Sequence, residues 1–235
     1  MFGPPSRGKV STFSMFSKSN PKRCPKFYPI LDVGLLVARG VEISFFAEEL
    51  RAAGVEWMQY RNKQGGDAQM LRDAAALLAL FSDAPTRLIL NDRVDLMAQS
   101  GFHGIHVGQQ DASPSAVRGA VGVTAILGVS THTLEQIVAA DATDCDYIAY
   151  GPIFATASKN HPDPVVGLEG LRAARRATRK PLVAIGGITR AHCRAVVDAG
   201  ADSIAVISDL FPRQEPCGAG SIQKIAEEFL VLLGS

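Results

Sequence analysis

Apolar positions along residues 28–235 follow two alternating periods, one typical of buried strands and one typical of helices. Short β-branched runs are each followed by a segment whose apolar side chains recur every three or four positions. Strands are predicted at 28–33, 56–61, 87–91, 104–107, 125–129, 147–150, 182–185 and 204–207. Helices are predicted between 44 and 53 and at about 67–82, 93–99, 113–119, 133–140, 168–177, 190–198 and 219–233. This alternation favours a mostly parallel sheet with right-handed crossovers.

Eight strand-helix units in about 210 residues match the size and order of a closed (β/α)8 TIM barrel, an α/β fold. Residues 28–235 are therefore expected to form one catalytic domain. A doubly wound open sheet is the alternative, and the lack of a GxGxxG turn makes it the weaker one.

The first predicted helix has sequence signals for both its start and its end. Ser44 is expected to cap its start, Phe46 and Leu50 lie one turn apart on its apolar face, and Gly54 is expected to end it. The sequence thus predicts a helix that packs against the sheet between the first two strands.

The second predicted strand indicates where the chemistry lies. A period of two places Gln59 and Arg61 on one face and Met58 and Tyr60 on the other. A guanidinium that points into a barrel needs an anion, and Lys63 follows just beyond. Arg61 alone could equally be a side chain that extends to solvent at the rim. In this fold the carboxyl ends of the strands carry the active site, so the other strand ends decide between the two interpretations.

Two acidic residues follow neighbouring strands. Asp92 comes after the third strand and Asp111 closes the loop after the fourth. Such carboxylates suit a hard divalent cation such as Mg²⁺, held mainly through phosphate and water. The alternative is that Asp111 caps a helix and Asp92 heads one. Their occurrence beside Arg61 and Lys63 favours a metal-diphosphate site.

The fifth strand ends at Ser130, whose hydroxyl can hydrogen-bond a small heterocycle. His132 follows it and is a candidate acid or base, although a histidine at a helix start needs no such role. His106, in the fourth strand, is expected to be a packed, hydrogen-bonded core residue.

The last strand ends predict anion contacts. The loop at 151–159 brings hydroxyls and Lys159 to the end of the sixth strand, as an anion-binding lid would. Gly186 and Gly187 after the seventh strand, with Ser208 after the eighth, fit the phosphate cradle of barrels. The alternative for the two glycines is a tight turn.

Composition excludes several classes of protein. Residues 1–27 hold six basic side chains and no acid, which leaves 18 basic against 23 acidic side chains in residues 28–235. Nucleic acid is therefore not an expected partner. No apolar run reaches the length of a membrane span, so the expected location is the cytoplasm. Residues 1–27 are expected to be a disordered extension. One alternative is that the true start is Met15, and another is that the segment is an organellar targeting signal. The four cysteines have no metal-like spacing and are expected to form no disulfide.

Seven strings together resemble the thiamine phosphate synthase family, in the family's order across residues 28–235. They are QYRNKQGGD (59–67), NDRVDLM (91–97), GIHVGQQD (104–111), GVSTHT (128–133), GPIFATASK (151–159), AIGGIT (184–189) and AVIS (205–208). The resemblance implies that 4-amino-5-hydroxymethyl-2-methylpyrimidine diphosphate is joined to 4-methyl-5-(2-phosphooxyethyl)thiazole, with thiamine phosphate and diphosphate as products.

The resemblance also assigns roles to residues, with Arg61, Lys63, Ser130 and Lys159 taking part in catalysis. The pyrimidine diphosphate would be held by Gln59, Tyr60, Arg61, Asn62, Lys63, Asn91 and Lys159. Asp92 and Asp111 would bind Mg²⁺, and Ser130 would face the pyrimidine. The thiazole phosphate would be received by Thr156, Ala157, Ser158, Gly187, Ile207 and Ser208.

Two positions depart from the family's pattern, Asn62 where glutamate is common and Ser158 where threonine is usual, and they are expected to tune affinity. The implied mechanism is dissociative: diphosphate leaves and the thiazole nitrogen captures a stabilised carbocation.

Two other functions stay open at this point. A thiazole tautomerase would share the barrel and use a histidine near His132, but it has no diphosphate to expel. A regulator that binds thiamine precursors without turnover would not need the charged groups. Small molecules are the expected ligands in each case, and the chain is compatible with a homo-oligomer.

Overall fold

The computed structural model describes residues 22–156, 163–212 and 217–234. Within them, eight parallel strands form a closed barrel in sequence order. The strands are β1 (Phe27–Asp32), β2 (Trp57–Arg61), β3 (Arg87–Asn91), β4 (Gly104–Val107), β5 (Ile126–Thr131), β6 (Tyr147–Tyr150), β7 (Leu182–Ile185) and β8 (Ser203–Val206). The barrel fold is confirmed, and the open doubly wound sheet is excluded.

Helices cover the outside of the barrel. They are α1 (Val33–Ala38), α2 (Ile43–Ala52), α3 (Asp67–Leu80), α4 (Met97–Ser100), α5 (Pro114–Val121), α6 (Leu134–Asp141), α7 (Gly167–Ala177), α8 (Cys193–Asp198) and α9 (Ser221–Leu233). Short 3-10 turns precede α4 and α8 and follow β8, at Val94–Leu96, Arg190–His192 and Ser208–Leu210.

The first connection differs from its prediction. β1 passes directly into α1, a helix that the sequence did not predict, and the Asp32 side chain caps it by accepting the Leu35 amide at 2.9 Å. The prediction of Ser44 as the cap of α2 was wrong, because the helix already begins at Ile43. The carbonyl of Glu42 accepts the Phe46 amide at 3.1 Å, so the backbone sets the start without a side-chain cap. Phe46 is fully buried, as predicted.

Alternating side chains build two apolar layers. In β1, Tyr28 and Ile30 face the barrel interior, whereas Phe27 and Leu31 pack under the helices. The interior is filled by aromatic rings: Tyr28 makes edge contacts with Trp57 and Tyr147, with ring centroids 5.7 Å and 5.9 Å apart. These rings close the barrel below the ends of its strands.

At the amino-terminal end of the barrel, the same hydrogen-bonding arrangement occurs before β4, β6 and β8. There, a side chain accepts the amide of the first or second residue of the preceding strand, at 2.8–3.0 Å. The pairs are His103 with Leu88, Asp146 with Leu127 and Asp202 with Leu182. The same three residues donate their own amides to the carbonyls of those leucines. The starts of β4, β6 and β8 are each thereby tied to the preceding strand by two hydrogen bonds.

Part of the segment expected to be a disordered extension belongs to this end. The Lys22 ammonium bonds the Val123 carbonyl at 2.6 Å and Asp146 at 3.0 Å. Lys26 bonds the carbonyls of Leu233 and Gly234 at 3.0 Å and 2.9 Å. Residues 22–27 therefore pack on the barrel, and residues 1–21 lie outside the described part.

Candidate active site

A cavity of about 670 Å³ opens at the carboxyl ends of the strands. This volume is within the range of small-molecule sites. The site residues expected from the sequence that line it are Gln59, Arg61, Lys63, Asn91, Asp92, Asp111, Ser130, Thr156, Gly187, Ile207 and Ser208. The structure thus brings both expected carboxylates and two of the three expected cations into one cavity. Of the five other expected site residues, Tyr60 and Asn62 do not line the cavity, and Ala157, Ser158 and Lys159 fall outside the described residues.

Each of these two cations is paired with a carboxylate. The Arg61 guanidinium forms an ion pair with Asp32 at the end of β1, and both side chains are largely buried. The Lys63 ammonium pairs with Asp92 and keeps about half of its side-chain surface exposed (54%). Asp32 was not expected from the sequence. With Mg²⁺ bound, the three expected cations would give the site an excess positive charge of about +3 over Asp92 and Asp111. The negative charge of Asp32 lowers that excess by one.

Asp92 has an unusual backbone. Its φ of 64° makes it the one non-glycine residue with a positive φ in the part of the chain that the structure describes. The Asp92 amide donates to the His106 carbonyl at 2.8 Å, and its carbonyl accepts the Val94 amide at 2.8 Å. Left-handed backbone at a side chain costs free energy and is concentrated at functional sites. The strand end is therefore held in a conformation that presents this carboxylate to the cavity.

Asp111 lies beside Asp92. Its Oδ2 accepts the Gly108 amide at 2.7 Å, which closes the loop after β4. Burial, followed by the charge and hydrogen bonding of Asp92, raises the pKa of the Asp111 carboxyl, while the Gly108 amide and Lys63 oppose that shift. The alternative of Asp111 as a helix cap is excluded, because Ser113 accepts the Ala116 amide at 3.3 Å and caps α5.

The donor set fits a hard cation that takes most of its ligands from water or substrate. Asp92 and Asp111 supply carboxylate oxygens that repel each other, and a divalent cation would relieve that repulsion. Within the described ranges, no group of three or more His, Cys, Asp or Glu side chains could hold a metal by itself. A structural zinc site of the usual kind therefore does not fit these residues.

The inner wall carries residues that the sequence did not mark as functional. His106 is buried and hydrogen-bonded, as expected, but its Nε2 also meets the Ser130 hydroxyl at 2.7 Å inside the cavity. The Gln109 amide donates to the Ser130 carbonyl at 2.6 Å and steadies the end of β5. The strand register places His106 opposite Gly128, where no side chain separates His106 from β6, and periodicity along one strand does not reveal that neighbour.

The opposite wall is built from main chain. Gly187 has a φ of 65°, and a Cβ there would lie 2.4 Å from the Ala155 carbonyl oxygen. The Phe154 amide donates to the Gly186 carbonyl at 2.9 Å, which joins the loop after β6 to the end of β7. The two glycines therefore do more than turn the chain, because they let a neighbouring loop pack against it.

Two expected site residues point elsewhere. The Tyr60 hydroxyl donates to Asp73 of α3 at 2.6 Å, and the Asn62 amide donates to that hydroxyl at 3.1 Å. The Asn62 side-chain oxygen accepts the Gly65 amide at 2.8 Å. Neither residue lines the cavity. The geometry does not support substrate contacts from these side chains, since the period of β2 turns Tyr60 toward the helices.

His132 also lies in the cavity wall. Its Nδ1 is 2.6 Å from the Gly151 carbonyl oxygen, and its Nε2 is 3.4 Å from Asp163. The carbonyl can only accept, so Nδ1 carries a hydrogen. The ring is thereby fixed between the loops after β5 and β6.

The chain's helices lie on the barrel surface. None of those in the described residues combines the length and apolarity that crossing a membrane requires.

Sequence comparison finds one family over most of the chain. A family model described as thiamine monophosphate synthase matches residues 27–210. A thiamine-phosphate synthase of Koribacter versatilis (strain Ellin345) is 50% identical over 217 residues, covering 91% of this chain and 98% of that protein. Another, of Chloroflexus aurantiacus (strain ATCC 29366 / DSM 635 / J-10-fl), is 40% identical over 183 residues, covering 78% and 83%.

Comparison of folds agrees. A thiamine phosphate pyrophosphorylase from Pyrococcus furiosus superposes with a TM-score of 0.75 at 29% identity, over 89% of this chain and 95% of that chain. A geranylgeranylglyceryl phosphate synthase from Thermoplasma acidophilum superposes with a TM-score of 0.64 at 15% identity, covering 91% and 94%, a likeness of fold alone.

Proposed function

The chain belongs to the thiamine monophosphate synthase family, and on that premise we propose that it joins two specific precursors of thiamine phosphate. The substrates are 4-amino-5-hydroxymethyl-2-methylpyrimidine diphosphate and 4-methyl-5-(2-phosphooxyethyl)thiazole. The products are thiamine phosphate and diphosphate. The observation that carries this proposal is the meeting of Arg61, Lys63, Asp92 and Asp111 in one cavity of suitable size.

The charged groups suit a departing diphosphate. Lys63 has an exposed ammonium that can turn from Asp92 toward a phosphate, and Arg61 supplies a guanidinium aimed into the same space. Asp92 and Asp111 would hold Mg²⁺ through carboxylate oxygens. When bound, Mg²⁺ supplies neutralisation of the negative charge on the leaving diphosphate. A tautomerase has no leaving anion and so no need for this arrangement.

The two halves of the cavity suit the two substrates. Ser130 offers a hydroxyl at the inner wall to the pyrimidine, and Gln59 and Asn91 line the same side. Thr156, Gly187, Ile207 and Ser208 would receive the thiazole phosphate. The two substrates would thus be held by different walls of the cavity, which would align the thiazole nitrogen with the pyrimidine methylene.

The reaction then needs no covalent residue. The bond between the methylene carbon and the diphosphate oxygen breaks, and its electron pair leaves with diphosphate. The lone pair of the thiazole nitrogen forms the new carbon-nitrogen bond, and no proton has to move. The residues' task is electrostatic stabilisation of the anion and exclusion of water from the cation.

The test is an assay of the purified chain with both precursors. We expect thiamine phosphate and diphosphate in equal amounts, dependent on both substrates and suppressed by a chelator of divalent cations. Proton exchange on the thiazole that continues in the chelator would instead favour a tautomerase. Tight binding of the precursors without product would favour a regulator.

Lys159, outside the described residues, is expected to contact the leaving group. Lys159→Ala should lower turnover on the order of 10²-fold, with a much smaller effect on thiazole binding, measured by steady-state kinetics and equilibrium binding. Equal losses in both would contradict a leaving-group role.

A further inference from the structure

A row of hydrogen bonds crosses the barrel interior and ends at the cavity. The Gln59 amide nitrogen donates to the Tyr28 hydroxyl at 3.1 Å, and that hydroxyl is 3.0 Å from the Tyr147 hydroxyl. The Tyr147 hydroxyl is 2.9 Å from His106 Nδ1. His106 Nε2 is 2.7 Å from the Ser130 hydroxyl. Five side chains from five different strands are therefore linked in series.

The row is shielded from water. Gln59, Tyr28, Tyr147 and His106 expose between 0% and 6% of their surfaces. Burial raises the pKa of Tyr28 and of Tyr147 above the ordinary value, so both phenols keep their hydrogens at neutral pH. Each phenol then has one hydrogen to donate and needs one acceptor.

Counting donors and acceptors sets the direction of the row. Tyr28 accepts from Gln59, so its own hydrogen goes to Tyr147, its other partner among the described residues. Tyr147 accepts from Tyr28 and donates to His106 Nδ1. A neutral imidazole that accepts at Nδ1 carries its hydrogen on Nε2. In that neutral form His106 donates to the Ser130 oxygen, which leaves the Ser130 hydrogen for an acceptor other than His106.

The chain leaves space for this row. A Cβ at Gly128 would lie 2.0 Å from the ring carbon that bears the Tyr147 hydroxyl and 2.4 Å from its oxygen. The His106 and Tyr147 rings stack with centroids 5.5 Å apart. The phenol thus occupies a slot between β5 and β4 that only a glycine at position 128 leaves open.

We propose that His106 and Tyr147 are positioning residues that orient the Ser130 hydroxyl as a hydrogen-bond donor, so that the inner wall selects a heterocycle with a ring-nitrogen lone pair at that point. The identity of this heterocycle as the pyrimidine depends on the proposed function. A ring that presents C–H or N–H at the same position would leave the Ser130 hydrogen without an acceptor, which weakens binding and disorders the ring.

The direction of the row can be tested without substrate. The ¹⁵N NMR shifts of labelled histidine distinguish a ring nitrogen that accepts from one that carries hydrogen, and loss of the signal in His106→Asn assigns it. We expect His106 to be the neutral Nε2–H tautomer at neutral pH. The Nδ1–H tautomer, or a charged ring, would overturn the proposal.

Tyr147→Phe tests the effect on the substrate. We expect loss of the preference for the Nε2–H tautomer and a fall of about fivefold to tenfold in kcat/KM for the pyrimidine substrate, with the KM for the thiazole phosphate unchanged. The matched control is Tyr150→Phe, which removes a phenol from the same strand on the helix side and should change kcat/KM less than twofold.

Two results would contradict the proposal: equal effects of the two variants, or equal changes for both substrates. A pyrimidine diphosphate analogue with each ring nitrogen replaced in turn by C–H gives a second measurement, on the unmodified chain. One replacement should weaken binding to the wild type by about fivefold to tenfold, and uniform affinity across the analogues would overturn the proposal. If the wild type makes no thiamine phosphate, the proposed function fails while the tautomer result stands on its own.

Discussion

The two ends of the barrel use the same types of charged residue in opposite ways. At the amino-terminal end, Asp146 accepts from the Leu127 amide, Arg118 and Lys22, all at 2.7–3.0 Å. At the carboxyl end, Lys63 meets one carboxylate, Asp92, in a wall that lines a cavity. The first arrangement uses its charges to fix loops, whereas the second keeps them available to a ligand. A count of ion pairs alone would not separate the two.

The largest expected effect is at the carboxyl end. Asp111→Asn should lower kcat/KM on the order of 10²-fold, because one of the carboxylate oxygens proposed to bind Mg²⁺ is lost. The free energy of unfolding should not fall, because burial and Asp92 disfavour the charged form of Asp111 in the folded chain. Steady-state kinetics and urea unfolding measure both quantities.

The control for that substitution is Asp83→Asn, at an exposed carboxylate that pairs with Arg51 outside the cavity. Activity of Asp111→Asn within threefold of this control would remove the distinction between the two ends of the barrel.

The converse is expected at the amino-terminal end. Asp146→Asn leaves Arg118 without its carboxylate and weakens a bond to β5, so it should cost about 3 kcal/mol of unfolding free energy. Activity per folded molecule should stay within about twofold. The matched control is Asp198→Asn, which breaks an exposed pair with Arg194 and should cost less than about 0.5 kcal/mol. Similar costs for the two variants in urea unfolding would contradict the assignment.

Substitution of two glycines separates the cost of backbone strain from the cost of close packing in the cavity wall. Gly54 and Gly187 both have positive φ, but a Cβ at Gly54 meets nothing within 4 Å. Gly54→Ala should cost about 1 kcal/mol of unfolding free energy, and Gly187→Ala about 2 kcal/mol or more, since it also strikes the Ala155 carbonyl. Gly187→Ala should in addition raise the KM for the thiazole phosphate. Equal costs and unchanged kinetics would show that this wall is not tightly packed.

The smallest expected effect is a pH dependence at the amino-terminal end. Burial, together with the charge of Arg87, lowers the pKa of His103, whose Nδ1 accepts the Leu88 amide at 3.0 Å. The unfolded chain therefore binds a proton near pH 6.5 that the folded chain resists, so the free energy of unfolding falls as the pH drops below about 6.5. Above that pH the group contributes no slope.

His103→Asn keeps an acceptor for the amide but cannot titrate. Urea unfolding between pH 7.5 and pH 5 should therefore show a shallower loss in the variant than in the wild type. Identical slopes would mean that His103 does not titrate with folding.

The sequence predicted the strands well because each is a short, mostly apolar run that ends at or just before a polar residue or a glycine. It missed α1 because apolar residues continue past β1 without a change of period, and it therefore missed Asp32 as the partner of Arg61. Tyr60 was assigned to substrate with its neighbours, although the period of β2 turns its side chain outward.

The row through the interior was also beyond the sequence. His106 and Tyr147 are 41 residues apart, and only the pairing of β4 with β5 and of β5 with β6 brings them together across Gly128. Periodicity gives the direction of a side chain within a strand but not which side chain on the next strand it meets.

The aromatic rings inside the barrel also limit the route by which a ligand can reach Ser130. Tyr28, Trp57 and Tyr147 fill the space beneath Ser130, so within the described residues a molecule can arrive at that hydroxyl from the strand-end mouth and not from below. A ligand at this depth therefore enters and leaves through the same mouth as any other ligand of the cavity. Because the floor is closed, water displaced by an incoming ligand must also leave through that mouth.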